Sequence, residues 1–355
     1  MKLSQVIDEL VEEKGLDRSV LSAIIAEGML AAYKKKYPDL PLKVTYNRKS
    51  DEIEVFIEKA VVNTVQDDAT QISLRKARSI KEDVQVVDTL DLPFEGTIGR
   101  IEILKAKQVI AQKIRAIETS AVYQEFKQKE NTIVHGIIHK CERNGITVKL
   151  QDTFAFLPKS LMIPGDKCIV GYTLRALLKE VLPEPRHENQ LILDRTSPDF
   201  LRRLFELEVP EIFEKLVEIK KIARAPGYKS KVLVVSHDKN IDPVGTCVGV
   251  GGARIKPILR ELGTEKIDII AFNRSLEDLI KDALKPAEIN RVELIDTKNA
   301  QVWIDEDQRS IAIGKMGQNI SLASELTGMN IHLVKNDSEK AQNEPFEEEN
   351  DQLSE

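Results

Sequence analysis

Hydrophobic residues in the first 130 positions follow a helical spacing and then a strand-like one. Apolar side chains recur every three or four residues from Leu21 to Leu30, which predicts an amphipathic helix that begins after Asp17. Residues 42–46 and 53–57 instead alternate on either side of a polar turn, which predicts a β-hairpin.

The rest of this region is expected to end in a long helix. A third strand is predicted near 61–65, and the pattern at 72–87 fits a strand and a helix equally well. An amphipathic helix is predicted over 99–129, with an apolar stripe made of Ile103, Val109, Ile110, Ile114, Ile117 and Val122. Residues 1–130 are therefore expected to form an α+β domain.

Between residues 131 and 197 the pattern changes to short strand-like segments. They are predicted at 133–139, 145–150, 153–158, 167–181 and 190–194. Five short strands in a segment of this size are typical of an OB-fold β-barrel, which can bind oligonucleotides. Phe154 and Phe156 are the candidates for stacking on bases, although the alternation also allows one or both to lie in the core.

Residues 198–335 contain the same pattern twice, with the glycine motif GxxG at 249–252 and again at 314–317. The predicted order in each copy is helix, strand, strand, helix, strand. In the second copy these elements lie at 276–284, 290–297, 301–305, 310–327 and 331–334. This order is typical of type II KH domains, which are α/β sandwiches, so two tandem KH domains are predicted at 198–274 and 275–335. Because almost no linker separates them, they are expected to pack together.

A GxxG turn that opens a helix allows a sugar-phosphate chain to come close, because glycine has no Cβ and free N–H groups point outward. KH domains clamp RNA in this way. A third GxxG, at 96–99, also precedes a helix but lacks the strand that should follow, so the repeated context supports the prediction more than the glycines do. The predicted RNA contacts are Gly249, Val250, Gly251, Gly252, Arg254 and Lys256 in the first copy, and Gly314, Lys315, Met316, Gly317, Gln318 and Asn319 in the second.

The charge is unevenly distributed along the chain. The 355 residues carry a net charge of −6, and residues 336–355 hold eight acidic residues and one lysine. This segment is expected to be a disordered acidic tail, which leaves a nearly neutral body that can carry local basic faces. No signal peptide or membrane-spanning stretch is recognisable, so a cytoplasmic protein without a membrane partner is expected. Cys141, Cys168 and Cys247 show no pairing motif and are expected to be unpaired.

The sequence contains no complete enzyme motif. The second GxxG fails as a nucleotide-binding P-loop because Met316 follows Lys315. His135, His139 and Cys141 are spaced loosely like metal ligands but have no fourth ligand nearby. A non-catalytic protein without metal or cofactor is therefore predicted. The alternatives are an RNA-processing enzyme and a ribosome-assembly factor that use the same RNA-binding modules.

Several longer segments point to one known family. They are LDRTSPDFLRRLFELEVPEI at 193–212, IKKIARAPG at 219–227, DPVGTCVG at 242–249, AIGKMGQNISLASELTG at 312–328 and GRIEILKAKQVIAQKIR at 99–115. The chain resembles the NusA family of bacterial transcription elongation, termination and antitermination factors, most strongly from 132 to 335.

The resemblance implies a set of partners and roles. Residues 1–130 would bind RNA polymerase core near its RNA exit channel, and the barrel and KH domains would bind nascent single-stranded RNA. The protein would modulate pausing, termination and antitermination as a monomer, together with other elongation and antitermination factors. Basic residues on the long helix are the candidates for the polymerase contact, although a solvated helix surface explains them equally well: Arg100, Lys105, Lys107, Lys113 and Arg115.

Overall fold

The computed structural model describes residues 3–14, 17–47, 50–186, 189–272 and 275–335. The acidic tail predicted at 336–355 lies outside the described residues. Contacts divide the chain into two compact units, Met1–Val122 and Tyr123–Glu355. Both units combine helices with β-sheets, so the protein has a mixed α+β, multidomain architecture.

The described residues of the first unit form a four-stranded sheet and four helices, the last of which crosses the boundary between the units. In chain order the elements are α1 (Leu3–Lys14), α2 (Arg18–Lys36), β1 (Leu42–Asn47), β2 (Glu52–Val62), β3 (Gln71–Ser73), α3 (Leu74–Ile80), β4 (Thr89–Pro93) and α4 (Arg100–Lys127). The predicted hairpin is confirmed, with Leu42 opposite Ile57. Asp17 caps α2 as predicted by accepting a hydrogen bond from the Ser19 N–H at 2.6 Å.

Two predictions for this unit are wrong in detail. The separate strand expected near 61–65 does not form, because β2 runs without interruption to Val62 and pairs there with β3. The segment at 72–87, which fitted a strand and a helix equally well, contains the end of β3, all of α3 and a loop over 81–87. The long helix α4 is confirmed, but Ile103 from its predicted apolar stripe is exposed, whereas Ile114 is buried against Leu21 and Ile25.

The second unit begins with a closed barrel. Its strands are β5 (Ile133–Cys141), β6 (Gly145–Leu150), β7 (Thr153–Pro158), β8 (Thr173–Arg186) and β9 (Asn189–Asp194), and they close in the order β5-β6-β7-β9-β8. The strand predicted at 167–181 is shifted toward the C-terminus, because residues 166–172 form a loop before β8. The Gly171 N–H holds this loop against β5 by donating to the Ile138 carbonyl at 2.9 Å.

Cys141 and Cys168 form a disulfide between the end of β5 and the loop before β8, with their Cα atoms 6.1 Å apart. The expectation that all three cysteines are unpaired is therefore wrong for these two. They are 27 residues apart in sequence, and it is the barrel that brings them together. Cys247 is free and buried.

The two sequence repeats form two similar layers of helices on a three-stranded sheet. The first consists of α5 (Pro198–Glu208), α6 (Pro210–Phe213), β10 (Val217–Ala225), β11 (Lys229–Ser236), α7 (Pro243–Val248), α8 (Ile255–Leu262) and β12 (Lys266–Ala271). The second consists of α9 (Leu276–Leu284), β13 (Arg291–Leu294), β14 (Asn299–Ile304), α10 (Glu306–Ile313), α11 (Gln318–Thr327) and β15 (Asn330–Lys335). In both sheets the first two strands are antiparallel and the third is parallel to the second.

The helix predicted over 310–327 is in fact two helices, α10 and α11, on either side of the glycine turn. The backbone has positive φ at Gly314, Met316 and Gly317, with values of 72°, 52° and 73°. A right-handed helix cannot pass through such residues, so the chain reverses direction there. The first repeat is interrupted at the corresponding place, between α7 and α8.

Buried side chains join the barrel to the first repeat, and the first repeat to the second. Ile163 and Leu177 of the barrel lie in one core with Phe200 and Phe205 of α5. A second core includes residues of both repeats: Ala223, Leu233, Leu279, Leu322 and Leu326. The two repeats therefore pack together, as the short linker predicts.

Arg195 reinforces the junction between the barrel and the first repeat. Its side chain is 3% exposed, and its Nε atom donates to Asp166 of the barrel at 2.9 Å. Its Nη1 atom donates to the Glu261 carboxylate of α8 at 2.6 Å. Burial lowers the pKa of Arg195, but the hydrogen bonds to the two carboxylates raise it more, so the guanidinium stays charged.

Candidate RNA interface

The second glycine turn presents an exposed cation and an open backbone. The Lys315 side chain is exposed and has no ion-pair partner among the described residues, and Met316 is 89% exposed. A Cβ added at Gly314 would lie 2.7 Å from the Asn319 Cβ, so only glycine fits there. The turn is thus shaped for close approach by an anionic chain.

Asn319 supports this turn from within. Its side chain is 3% exposed, and its Nδ2 atom donates to the carbonyls of Leu284 at 3.2 Å and Ala312 at 3.1 Å. The sequence predicts Asn319 as an RNA contact, but the structure places its side chain in the protein interior, where it holds the start of α11 against Gly314. Gln318, at the first position of α11, is half-buried.

The first turn has the same backbone shape but a different distribution of charge. Gly249, Gly251 and Gly252 have φ values of 74°, 60° and 78°, and Val250 is 97% exposed. The Arg254 guanidinium is engaged within the protein, since it donates to the Thr246 carbonyl at 2.7 Å and to Glu211 at 2.9 Å.

Lys256 is the unpaired cation of the first turn. Its side chain has no hydrogen bond or ion pair among the described residues. A Cβ on Gly252 would lie 3.3 Å from its Cε atom, so its side chain runs beside the turn. Arg254 thus fixes the turn, and Lys256 supplies the available positive charge.

A groove between the two repeats is a feature that the sequence pattern did not reveal. It encloses about 890 Å³ and is lined by Lys229, Lys266 and Asp268 of the first repeat and by Lys281, Asp282, Lys285 and Glu288 of the second. These residues come from β11, from β12 and from α9 and the segment after it, so no local spacing links them.

One face of the barrel combines aromatic, apolar and basic groups. Phe154 is 44% exposed, and its ring centroid lies 4.9 Å from that of His139. Strand pairing places Lys149 between Phe154 and the exposed Ile137. Phe156 is half-buried, so Phe154 is the more accessible of the two stacking candidates.

The basic residues predicted on α4 all have exposed side chains: Arg100, Lys105, Lys107, Lys113 and Arg115. Lys113 pairs with Glu27 at 2.8 Å, and the other four have no ion-pair partner in the described part of the chain. Ile101 and Leu104, which are 66% and 64% exposed, lie among them and were not predicted. This end of α4 therefore presents a surface that is both basic and apolar.

Of the three residues with metal-like spacing, His135, His139 and Cys141, the Cys141 sulfur is bonded to Cys168 and is therefore not a free thiolate ligand. Within the described ranges, no group of three or more His, Cys, Asp or Glu side chains is placed to hold a metal ion. None of the helices described is both long enough and apolar enough to cross a membrane.

Three family models match the chain. The NusA N-terminal domain matches residues 2–120, the NusA-like first KH domain matches 195–272, and the NusA-like second KH domain matches 276–341. The two KH matches cover the two repeats that carry the glycine turns.

Individual relatives match almost the whole chain. It is similar to the transcription termination/antitermination protein NusA of Rickettsia conorii, with 35% identity over 98% of this chain and 70% of that protein. The protein of the same name from Thermus thermophilus is 34% identical over 92% of this chain and 88% of its own length. The Bacillus subtilis protein is also 34% identical, over 93% of this chain and 90% of its own length.

Proposed function

The chain belongs to the NusA family of transcription termination and antitermination proteins, and we propose that it works by holding RNA polymerase core and nascent single-stranded RNA together. On this proposal the protein affects pausing, termination and antitermination by holding the RNA in position. The protein grips RNA in the cytoplasm without catalysing a reaction and without a metal or cofactor.

Each part of the chain has a place in this proposal. Residues 1–130 bind polymerase, 131–197 form an OB-fold barrel that binds RNA, and 198–274 and 275–335 form the two KH clamps. The strand order β5-β6-β7-β9-β8 supports the assignment of the barrel, because a five-stranded Greek-key barrel closes in this way. The exposed basic and apolar end of α4 supports the assignment of the polymerase contact.

The observation that carries the RNA-binding proposal is the exposed second turn. Lys315 and Met316 project into solvent between two glycines that no L-residue could replace without strain. A phosphodiester can reach the backbone there, and the Lys315 ammonium adds an attractive charge. The first turn offers the same backbone with Lys256 beside it.

The sharpest test is the substitution Gly317→Asp. A Cβ at Gly317 meets nothing within 4 Å, so the variant introduces a negative charge at the turn without a collision. Affinity for unstructured single-stranded RNA should fall about tenfold or more at fixed salt, because the new carboxylate repels phosphate. Gly314→Asp is less suitable, since its side chain would collide with Asn319.

The matched control is Gly328→Asp. Gly328 also has a positive φ, 76°, and also faces open space, but it lies at the opposite end of α11 from the turn. This variant carries the same backbone strain and the same added charge. Equal RNA affinities for the two variants would contradict the clamp assignment.

RNA that stays intact during these measurements in the presence of Mg²⁺ would agree with a non-catalytic role.

A further inference from the structure

The disulfide holds the middle of the loop before β8. Cys168 lies in this loop, and its partner Cys141 lies at the end of β5, where that strand pairs with β6. Cys141 is exposed and Cys168 is half-buried, so a small thiol reagent can reach the bond. The disulfide is therefore an accessible link between a loop and a strand that the sheet keeps in place.

Both ends of the loop are anchored without the disulfide. Asp166 accepts hydrogen bonds from Arg195 at 2.9 and 3.2 Å, which holds the first end at the junction with the first repeat. The Gly171 N–H donates to the Ile138 carbonyl at 2.9 Å, and the Tyr172 carbonyl accepts from the Ile138 N–H at 2.8 Å. Opening the disulfide therefore releases the residues between these anchors and leaves both ends in place.

Residues 167–170 have few other contacts. None of their N–H groups donates a hydrogen bond within the described residues. The side chains of Ile169 and Val170 are 43% and 62% exposed, so burial contributes little to their order. Segments with few buried contacts and without backbone hydrogen bonds open easily. The disulfide at Cys168 is therefore the main restraint on this part of the loop.

The loop borders the barrel face that combines aromatic, apolar and basic groups. Ile138 pairs with β6 on one side and with the loop on the other. Its neighbours in β5, Ile137 and His139, belong to that face together with Phe154. A strand bound to the face would have to order a released loop at its border, which costs conformational entropy. A closed disulfide keeps the border ordered before binding.

We propose that Cys141 and Cys168 form a reversible redox site that controls RNA binding by the barrel face, with dithiols and their disulfides as its reaction partners. One thiolate of the dithiol attacks a sulfur of the protein disulfide, and the other protein sulfur leaves as a thiolate and takes up a proton. The second thiol of the reagent then displaces the remaining cysteine. Two electrons and two protons thus pass to the protein, and exchange with the oxidised reagent closes the bond again.

The proposed location agrees with this role. The cytoplasm is a reducing compartment, where disulfides are rare and those that form are usually transient, either catalytic or redox-sensing. The effect on RNA rests on the proposed function, since it requires that the barrel bind RNA. The opening of the loop does not depend on it.

The first test measures tryptic cleavage after Lys167, which is exposed and precedes Cys168. Full-length protein would be digested with the disulfide closed by oxidised dithiothreitol and again after opening by dithiothreitol. Cleavage requires local opening of the chain, so it should become about tenfold faster or more in the open form. Cleavage after the exposed Lys239, in a loop of the first repeat, should not change and corrects for effects of the reagent on the protease. Equal rates at Lys167 in the two forms would overturn the inference.

The second test measures affinity for an unstructured single-stranded RNA. The open form should bind about three- to fivefold more weakly than the closed form, because binding must then order the loop. Cys141→Ser with Cys168→Ser should match the open parent in either reagent. Cys247→Ala, which changes a buried thiol that is not part of the disulfide, should respond to both reagents as the parent does.

Equal RNA affinities of the open and closed parent would overturn the inference. Loss of a cooperative unfolding transition in the open form would identify the disulfide as a purely structural link and would overturn it as well. If Gly317→Asp also binds RNA as tightly as the parent, the proposed function itself fails, whereas the cleavage result at Lys167 still stands.

Discussion

The three cysteines occupy chemically different positions. Cys247 lies in the core beneath the first turn, and burial raises the pKa of its thiol to about 12, so the reactive thiolate is essentially absent at neutral pH. Cys141 and Cys168 are joined to each other. Cys247 therefore serves as a packing group and is not a reactive thiol.

This difference predicts the outcome of a thiol titration. A small alkylating reagent should modify no cysteine of the native protein before reduction, and two cysteines after mild reduction, because only the disulfide lies near the surface. Peptide mass analysis would identify which cysteines react. Cys247→Ala should leave both counts unchanged, and rapid modification of unreduced native protein would show that the disulfide assignment is incorrect.

Sequence alone predicted which residues form the two turns, but it did not predict how individual side chains act. The glycine spacing locates the two turns, and the structure shows that Val250 and Met316 at their centres are exposed. The internal engagement of Arg254 depends on Glu211, which is 43 residues away. The burial of Asn319 depends on the carbonyl of Leu284. Contacts at such separations leave no local pattern.

Asp194 joins two elements, the last barrel strand and the first helix of the KH region. Its side chain is 1% exposed, and its Oδ1 atom accepts hydrogen bonds from the N–H groups of Thr196 at 2.7 Å and Ser197 at 3.1 Å. Its Oδ2 atom accepts one from Lys179 at 3.0 Å. Burial raises the pKa of Asp194, but these hydrogen bonds together lower it further, so the net pKa is below its usual value.

Replacing Asp194 by Asn should lower the free energy of unfolding by about 1.5–3 kcal/mol at pH 7, since the lost hydrogen bonds involve a charged acceptor. The carboxylate stabilises the fold fully above its unfolded pKa of about 3.9 and loses this effect as pH falls toward the lower folded pKa. The difference between variant and parent should therefore shrink between pH 5 and pH 3. Urea unfolding at several pH values measures it.

The control for this prediction is Asp152→Asn, at an exposed turn between β6 and β7. It should change the free energy of unfolding by less than about 0.5 kcal/mol at any of these pH values. A difference for Asp194→Asn that stayed constant with pH would mean that the charge of the carboxylate contributes little.

Elements with strong local signals were predicted with good boundaries. Helix α9 lies at its predicted residues, and Ser275 caps its start while Pro286 follows its end. The separate strand expected near 61–65 does not form, because β2 continues to Val62. The pairing of β2 with β3 and β4 extends it, and the sequence of β2 alone does not reveal that pairing. The single helix predicted at 310–327 is wrong, because the apolar periodicity of the sequence continues through the turn that Gly314 and Gly317 create and hides the break between α10 and α11.

At the scale of the whole molecule, the division at Val122 separates two bodies with separate cores. Removing residues 1–122 should abolish capture of RNA polymerase core, because the exposed basic and apolar surface of α4 lies within the removed part. Affinity for single-stranded RNA should stay within about twofold of the parent, since both glycine turns and the barrel remain.

The comparison requires the truncated protein to be folded, which its RNA affinity and a cooperative unfolding transition would establish. Polymerase capture would be measured by pull-down with purified core enzyme, with and without nascent RNA. Capture that survives the truncation in the absence of RNA would contradict the assignment of the polymerase contact to the first unit.

The core that the two KH domains share has a consequence for the RNA itself. The turns at Gly249 and Gly314 cannot move apart without separating Leu233 from its packing partners in the second repeat, Leu322 and Leu326. The distance between the two turns is therefore fixed by this core. A transcript that engages both must span one set length of backbone, and any additional nucleotide between the turns has to bulge outward.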